Sequence, residues 1–466
     1  MEQKWWVLVA IGISTFMSAL DISVVNTVLP VVNDSFKSQV DLIEWVVIIY
    51  LLVVSGLLLS FGRLGDMRGH RVVFLWGFLG FILSSMLCGL AQSPQALIAF
   101  RGLQALGAAM LSANSPAILT KSFPDHQRGQ ALGMQATMTY LGLTVGPSLG
   151  GWLTEQISWR AVFFINLPVG LLAFLLSWRF VPHDGGSQTK EHFDLAGALS
   201  FMAGLIALLL GLNQGSAWGW RSLPISSLLV AAMILLIVFV RIELKAKNPM
   251  LDLTLFRHRV FSASVVSAVF NYICVYSILF LMPFYLIQGR QLNAAQAGLV
   301  LTAMPIVMAV VAPLSGYLSD RIGARIPSTL GMLCLAGGLF MLSRLDPGSS
   351  TLEMIEALGI SGLGIGTFIS PNNSALMGSA PRRRQGIAAG MMATARNVGM
   401  VLGVGLAGAV YTTVLAQHAQ SAATSLFEAV QASFLTAIVV AVLGAIASSI
   451  GGQRAKASEP LEPQHT

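Results

Sequence analysis

Apolar residues in this chain gather into long stretches, and polar residues are confined to the short gaps between them. Six stretches come first: Trp5–Pro30, Leu42–Phe61, Val72–Ala91, Pro94–Thr120, Gln130–Thr154 and Ala161–Phe180. Two more, Asp194–Asn213 and Ser222–Val240, occupy the middle. Six follow: Phe261–Gln288, Ala294–Leu318, Pro327–Ser343, Leu352–Met377, Gln385–Leu415 and Val430–Ile450. Each approaches the ~20 residues that carry a helix across ~30 Å of hydrocarbon. Lipid offers the backbone no hydrogen-bond partners, so spans of this kind are expected to be helical. The pattern predicts an all-α integral membrane protein with fourteen transmembrane helices.

The two outer sets of six repeat one another. Gly129, Ala131, Gly133, Met134, Ala136, Thr137, Gly142, Gly146, Leu149 and Gly151 recur, at the same spacing, between Gly386 and Gly408. The run from Gly62 to Arg71 is echoed from Gly316 to Arg325, with Asp66 matched by Asp320. Such a repeat in an apolar chain means two similar helix bundles, a common carrier design. The expected division is an N-terminal six-helix bundle (1–181), a cytoplasmic linker (182–193) and two inserted helices (194–241). A second cytoplasmic linker (242–260), a C-terminal six-helix bundle (261–451) and a short polar tail (452–466), expected to be disordered, complete it.

Composition agrees with burial in lipid. Only 10% of the 466 residues are charged, against roughly 25% in a soluble domain. The net charge of +7 invites comparison with nucleic-acid binders, but its distribution argues against such a partner. With the N-terminus placed in the cytoplasm, the outward loops hold Lys37, Arg160, Arg221, Arg290 and Arg344, and most of the 27 basic residues lie inward. That asymmetry is the positive-inside signature and places both termini in the cytoplasm. Cys88, Cys274 and Cys334 lie inside apolar spans without ligand spacing, and the seven histidines form no HExxH pattern. Neither a metal nor another cofactor is implied, and no constellation suited to hydrolysis points to an enzyme. The chain also lacks a GxxxxGK[ST] loop, which argues against direct drive by ATP. The first span is long and carries Asp21, so it reads as an uncleaved helix.

Several motifs stand in order along the first half. Gly62-x-Leu64-x-Asp66-x-x-Gly69-x-Arg71 resembles the loop signature of the major facilitator superfamily. Leu20-Asp21 through Pro30, Arg101-Gly-Leu-Gln104-Ala-Leu-Gly107 and Gly142-Leu-Thr-Val-Gly146-Pro147-Ser-Leu-Gly150-Gly151 are similar to motifs of its drug:proton antiporters. Trp159-Arg160 through Asn166-Leu-Pro168-Val-Gly170, with the two inserted spans, resembles the fourteen-span family of those antiporters. The resemblance implies two bundles rocking about a central cavity, with the inserted helices outside. It implies a monomer in the inner membrane that exports amphipathic, often cationic small molecules in exchange for protons. The rival is export of an endogenous metabolite, lipid or siderophore on the same scaffold; proton-coupled uptake fits the Gly146-Pro147 pattern less well.

Depth supports the assignment of roles. Asp21 stands ~13 Å below the outer end of its helix and Arg101 ~10 Å inside its own, so the two meet if the helices adjoin. Each charge costs ~3 kcal/mol at mid-bilayer on insertion scales. The pair reads either as a structural ion pair or as the proton-coupling group. In the repeat, Arg101 maps onto Gly359, and the second half has its own deep charge, Arg396, opposite Thr139. Arg396 is open to three readings: it faces an anion, lines the cavity, or snorkels through water. Pro147, which maps onto Val404, is expected to bend its helix, while Gly142, Gly146, Gly150 and Gly151 offer a smooth packing face. That combination is expected to seal the bundle interface against proton leak. Gly62, Asp66, Gly69, Arg71, Asp320, Arg321, Gly323 and Arg325 are expected to form a charged cytoplasmic latch. Candidate substrate contacts are Asn26, Tyr50, Gln104, Asn114, Gln135, Tyr140, Asn271, Tyr272, Tyr276, Asn372, Asn373, Arg396 and Asn397. About half of these have a structural alternative, since polar groups in membranes also bond one another.

Overall fold

Helix starts are written into the sequence. Ser93 accepts a hydrogen bond from the Ala96 N–H (3.2 Å) just ahead of Pro94, and Ser350 and Glu353 form a reciprocal capping box. The turn between the second and third helix of each half needs a positive φ, supplied by Gly69 (95°) and Gly323 (88°). A computed structural model describes residues 2–38, 40–184, 194–219, 222–246, 251, 253–292, 294–381, 384–417 and 422–450. The expected tail and most of the first linker lie outside those residues.

The first half comprises α1 (Gln3–Phe36), α2 (Val40–Arg68), α3 (His70–Gly89), α4 (Pro94–Ser122), α5 (Arg128–Gln156), and a sixth span broken into α6 (Ala161–Phe164) and α7 (Asn166–Phe180). The inserted pair is α8 (Leu195–Trp218) and α9 (Leu223–Lys245). The second half comprises α10 (Arg259–Pro283), continued by a π-helical end (Phe284–Gly289), a tenth span in two pieces, α11 (Ala294–Leu301) and α12 (Ala303–Ile322), then α13 (Arg325–Leu342), α14 (Thr351–Ser379), α15 (Gln385–Gln417) and α16 (Ala422–Ile450).

Thirteen helical segments are long and apolar enough to span a bilayer among the described residues. The missing fourteenth is α5, which is as long as α4 but rich in Gly, Thr and Gln. Its position explains the composition: α5 packs on α1 on one side and α12 on the other, so protein takes the place of lipid.

Packing repeats between the halves. The α1–α5, α2–α4 and α3–α4 pairs are mirrored by α10–α15, α12–α14 and α13–α14. The halves meet along two seams, α2 with α15 and α5 with α12, whereas α1 and α10 form no packed seam among the described residues. Of the inserted pair, α8 leans on α2 and α15, and α9 packs on α8.

Candidate functional site

Asp21 and Arg101 are 2% and 1% exposed, so each must find its partners inside the protein. The Arg101 Nη1 donates to Asp21 Oδ2 at 2.7 Å and to Gln104 Oε1 at 2.7 Å, and its Nε donates to the Val46 carbonyl at 3.3 Å. Its guanidinium also lies 4.2 Å from the centre of the Tyr50 ring, a cation–π contact. The other carboxylate oxygen, Asp21 Oδ1, accepts from Gln104 Nε2 (3.1 Å) and Asn166 Nδ2 (2.8 Å). Both amides reach Ser85 Oγ as well (3.1 and 3.0 Å), and Ser85 donates to the Phe163 carbonyl at 2.9 Å. Helices α1, α3, α4 and α7 thus converge on one carboxylate. Protonating either oxygen converts an acceptor into a donor and forces one of three neighbours to let go.

The adjacency expected of Asp21 and Arg101 is observed. Asn166 and Ser85 were not singled out as site residues. Asn166 was visible as an amide inside an apolar run; Ser85 carried no signal, because serines in helices often bond only their own backbone.

The glycine face of α5 fits α1. A Cβ on Gly142 would press on the Phe16 carbonyl, one on Gly146 on Ser23, and one on Gly150 on Val24. Gly151, also expected on that face, points into open space. The seam is therefore internal to the first half, not between the halves. Helix α5 runs on through Pro147, whose missing N–H leaves the Leu143 carbonyl without its intrahelical partner. Ser23 Oγ of α1 donates to that carbonyl at 2.9 Å. A proline defect thereby becomes a bond between α5 and the helix that carries Asp21.

At the basic face, where the loop signatures lie, the halves are clamped crosswise. Asp66 Oδ1 and Oδ2 accept from the N–H groups of Gly386 (2.9 Å) and Ile387 (3.1 Å), at the start of α15. Asp320 accepts from Gly129 (2.9 Å) and Gln130 (3.0 Å), at the start of α5. Free N–H groups and the positive end of the helix dipole suit a carboxylate. Side chains at Gly62 or Gly316 would collide with the Gly386 and Gly129 carbonyls.

The arginines expected in this latch have other neighbours here. Arg71 turns to His183 and the Trp178 carbonyl within its own half, Arg321 stacks on Tyr317, and Arg325 is exposed. Helix termini already supply the positive charge the aspartates need.

Other candidates sort by their partners. Gln104 belongs to the Asp21 network. Asn114 belongs to the clamp: its Nδ2 donates to the Met110 carbonyl (2.8 Å), and its Oδ1 lies 2.7 Å from His70 Nδ1. His70 in turn stands 3.3 Å from Asp66. Asn372 bonds Ser267 and the Ser264 carbonyl, Asn271 donates to the Met332 sulfur, and Gln135 reaches Thr15. Asn397 donates to Ser55 Oγ across the α2–α15 seam at 2.8 Å. These bonds join neighbouring helices. Asn26 is exposed and Asn373 half-buried. The remainder form a group: Tyr140, Tyr272 and Tyr276 lie within electrostatic reach of Arg396, and Tyr50 lies within reach of both Arg396 and Asp21. Tyr140, from the first half, is packed among second-half residues Cys274, Val275 and Ile278.

Residues 11–404 match the Major Facilitator Superfamily. The chain belongs to that superfamily. Among its members, the riboflavin transporter RibZ of Clostridioides difficile is 35% identical over 403 residues, covering 86% of this chain and 87% of RibZ. Multidrug resistance protein Stp of Mycobacterium tuberculosis is 35% identical over 404 residues, covering 86% of this chain and 75% of Stp. The crystal structure of the human organic anion transporter MFSD10 (TETRAN) shares the fold, with a TM-score of 0.69 at 14% identity over 95% of this chain and 100% of that one. A many-span major facilitator protein whose relatives are transporters is itself a transporter.

Proposed function

We propose that this major facilitator protein is a proton-coupled exporter of amphipathic small molecules, working by alternating access. It would act as a monomer in the cytoplasmic membrane, with both termini and the basic face inside. The observation that carries the reading is the Asp21 cluster: one sealed carboxylate with three donors from two other helices. The crosswise clamps close the basic face, which supports reading this as the outward-facing form.

In this scheme a proton arriving from outside lands on Asp21 and releases one of its donors. The change passes through the α1–α5 seam to the start of α5, and the Asp320 clamp opens. Substrate then enters from the cytoplasm as the proton leaves. Each proton crossing 100 mV contributes ~2.3 kcal/mol, before any pH gradient is added. Multidrug relatives such as Stp support the exporter reading. RibZ, named for riboflavin, supports a second reading, carriage of a metabolite on the same scaffold.

Proteoliposomes decide between the directions. Adding substrate on the side it leaves from should drive protons the opposite way, and Asp21→Asn should abolish the coupled flux while substrate exchange persists. Proton movement in the same direction as substrate would establish uptake instead.

A further inference from the structure

Arg396 carries its charge into the middle of the membrane. Counted from Gln385 at about 1.5 Å per residue, it sits ~16 Å along α15, near the centre of the hydrocarbon. An arginine at this depth is costly unless an anion, polar groups or water receive it. Arg101 meets that requirement with a carboxylate, an amide, a carbonyl and a ring. Arg396 is half-buried, and among the described residues it has neither a hydrogen bond nor an ion pair. Its nitrogens are not among the sealed polar atoms, so they remain accessible. The hydroxyls of Tyr50, Tyr140, Tyr272 and Tyr276 share that condition: no described partner, yet not sealed.

The surroundings fix this group in place. Gly399 and Gly403 let α15 close onto α10 at Tyr272 and Ile273, one and two turns beyond Arg396. Asn397, the next residue, is tied to Ser55 of α2. Tyr50 and Tyr140 come from the first half, Tyr272 and Tyr276 from the second, so the cluster bridges both bundles. Among the described residues, the acid within reach of these tyrosines is Asp21, beside Tyr50. Asp21 is already engaged by three donors, and the Tyr50 ring already carries Arg101.

We propose that Arg396 and the four tyrosines bind a planar aromatic compound bearing an acidic oxygen, a carboxylate or an acidic phenol. The guanidinium fork grips the anionic group in two-point fashion, and the tyrosines flank the ring system and bond its polar edge. This replaces the cationic substrate expected from the sequence with an anionic one, and it rests on the exporter reading above. Outward movement of such an anion and inward movement of a proton both run with a membrane potential that is negative inside, so transport is accelerated by that potential.

Two xanthene dyes of similar shape and opposite charge test the site, fluorescein as the acid and rhodamine 6G as the cation. Binding is read by fluorescence anisotropy on the full chain in nanodiscs. Fluorescein should bind the native protein at least tenfold more tightly than rhodamine 6G. Arg396→Gln should weaken fluorescein at least tenfold and leave rhodamine 6G unchanged or tighter. Arg396→Lys keeps the charge without the fork and should fall between, which covers failure of the glutamine variant to fold. Equal binding of both dyes, or fluorescein binding indifferent to Arg396, overturns the proposal. Asp21→Asn separates the two readings: it should remove proton coupling and leave the dye preference intact. Proton-driven export of rhodamine 6G that ignores Arg396 would sink the anion site alone. Arg396-dependent fluorescein binding without proton exchange for either dye supports the site and sinks the exporter reading alone.

Discussion

The two halves of this molecule are near copies at the basic face and unlike in the middle. At the face, Asp66 caps α15 and Asp320 caps α5 through the same pair of backbone bonds. In the middle, the first half holds Asp21 and Arg101, with Gly359 standing opposite Arg101 in the repeat. The second half holds Arg396, whose counterpart is Thr139, and Val404 in place of Pro147. Gating needs both halves to part together, so symmetry is kept there. In the middle the halves differ: the first holds a buried carboxylate paired with Arg101, and the second a half-buried arginine.

The largest effect expected is on coupling. Asp21→Asn should cut pH-driven transport at least a hundredfold with the folded protein retained, measured as uptake into vesicles under an imposed gradient. Transport that survives would show that the first half does not hold the proton site. Arg101→Ala should come next, destabilising the fold by about 3–5 kcal/mol, since it leaves a buried carboxylate without its cation. Thermal unfolding in detergent measures this, and a silent variant would reduce the pair to ornament.

Moderate effects are expected at the clamps. Asp66→Ala or Asp320→Ala should each weaken the closed form by about 1 kcal/mol, roughly fivefold, as loss of a helix cap does. Distances between spin labels on the basic face would report it. A large effect from one and none from the other breaks the symmetry argued above. The smallest change belongs to Ser23→Ala, about 1 kcal/mol from an unmet carbonyl at the Pro147 break. Combined with Pro147→Ala, which restores the intrahelical bond, that loss should largely disappear.

Much of this was legible in the sequence, and the failures share one cause. Apolar run length sets how many helices there are, and depth along a helix places Asp21 beside Arg101. Neither tells which way a residue points around the helix axis. Asn114 and Asn372 fall inside apolar runs, yet both lie toward the basic face, where Asn114 meets His70 and the Phe61 carbonyl and Asn372 meets the Ser264 carbonyl. Asn166 required the break between α6 and α7 before its role was visible. The helix starts that meet Asp66 and Asp320 were not legible, because sequence displays side-chain charge and hides the partial charge of a helix start. The low apolarity of α5 was the converse case: its glycines from Gly129 to Gly150 face α1 and α12.

One feature of α5 carries further than its local contacts. Its first turn is held by Asp320 of the opposite half, and its middle is keyed to α1 by Gly142, Gly146 and the Ser23 bond. A stiff rod fastened at both points turns a small tilt at one into a displacement at the other, across about 25 Å at 1.5 Å per residue. If the proposed exchange holds, stiffness in this one rod sets how faithfully each hydrogen ion is converted into a door opening, and loosening it should yield slippage rather than blockage.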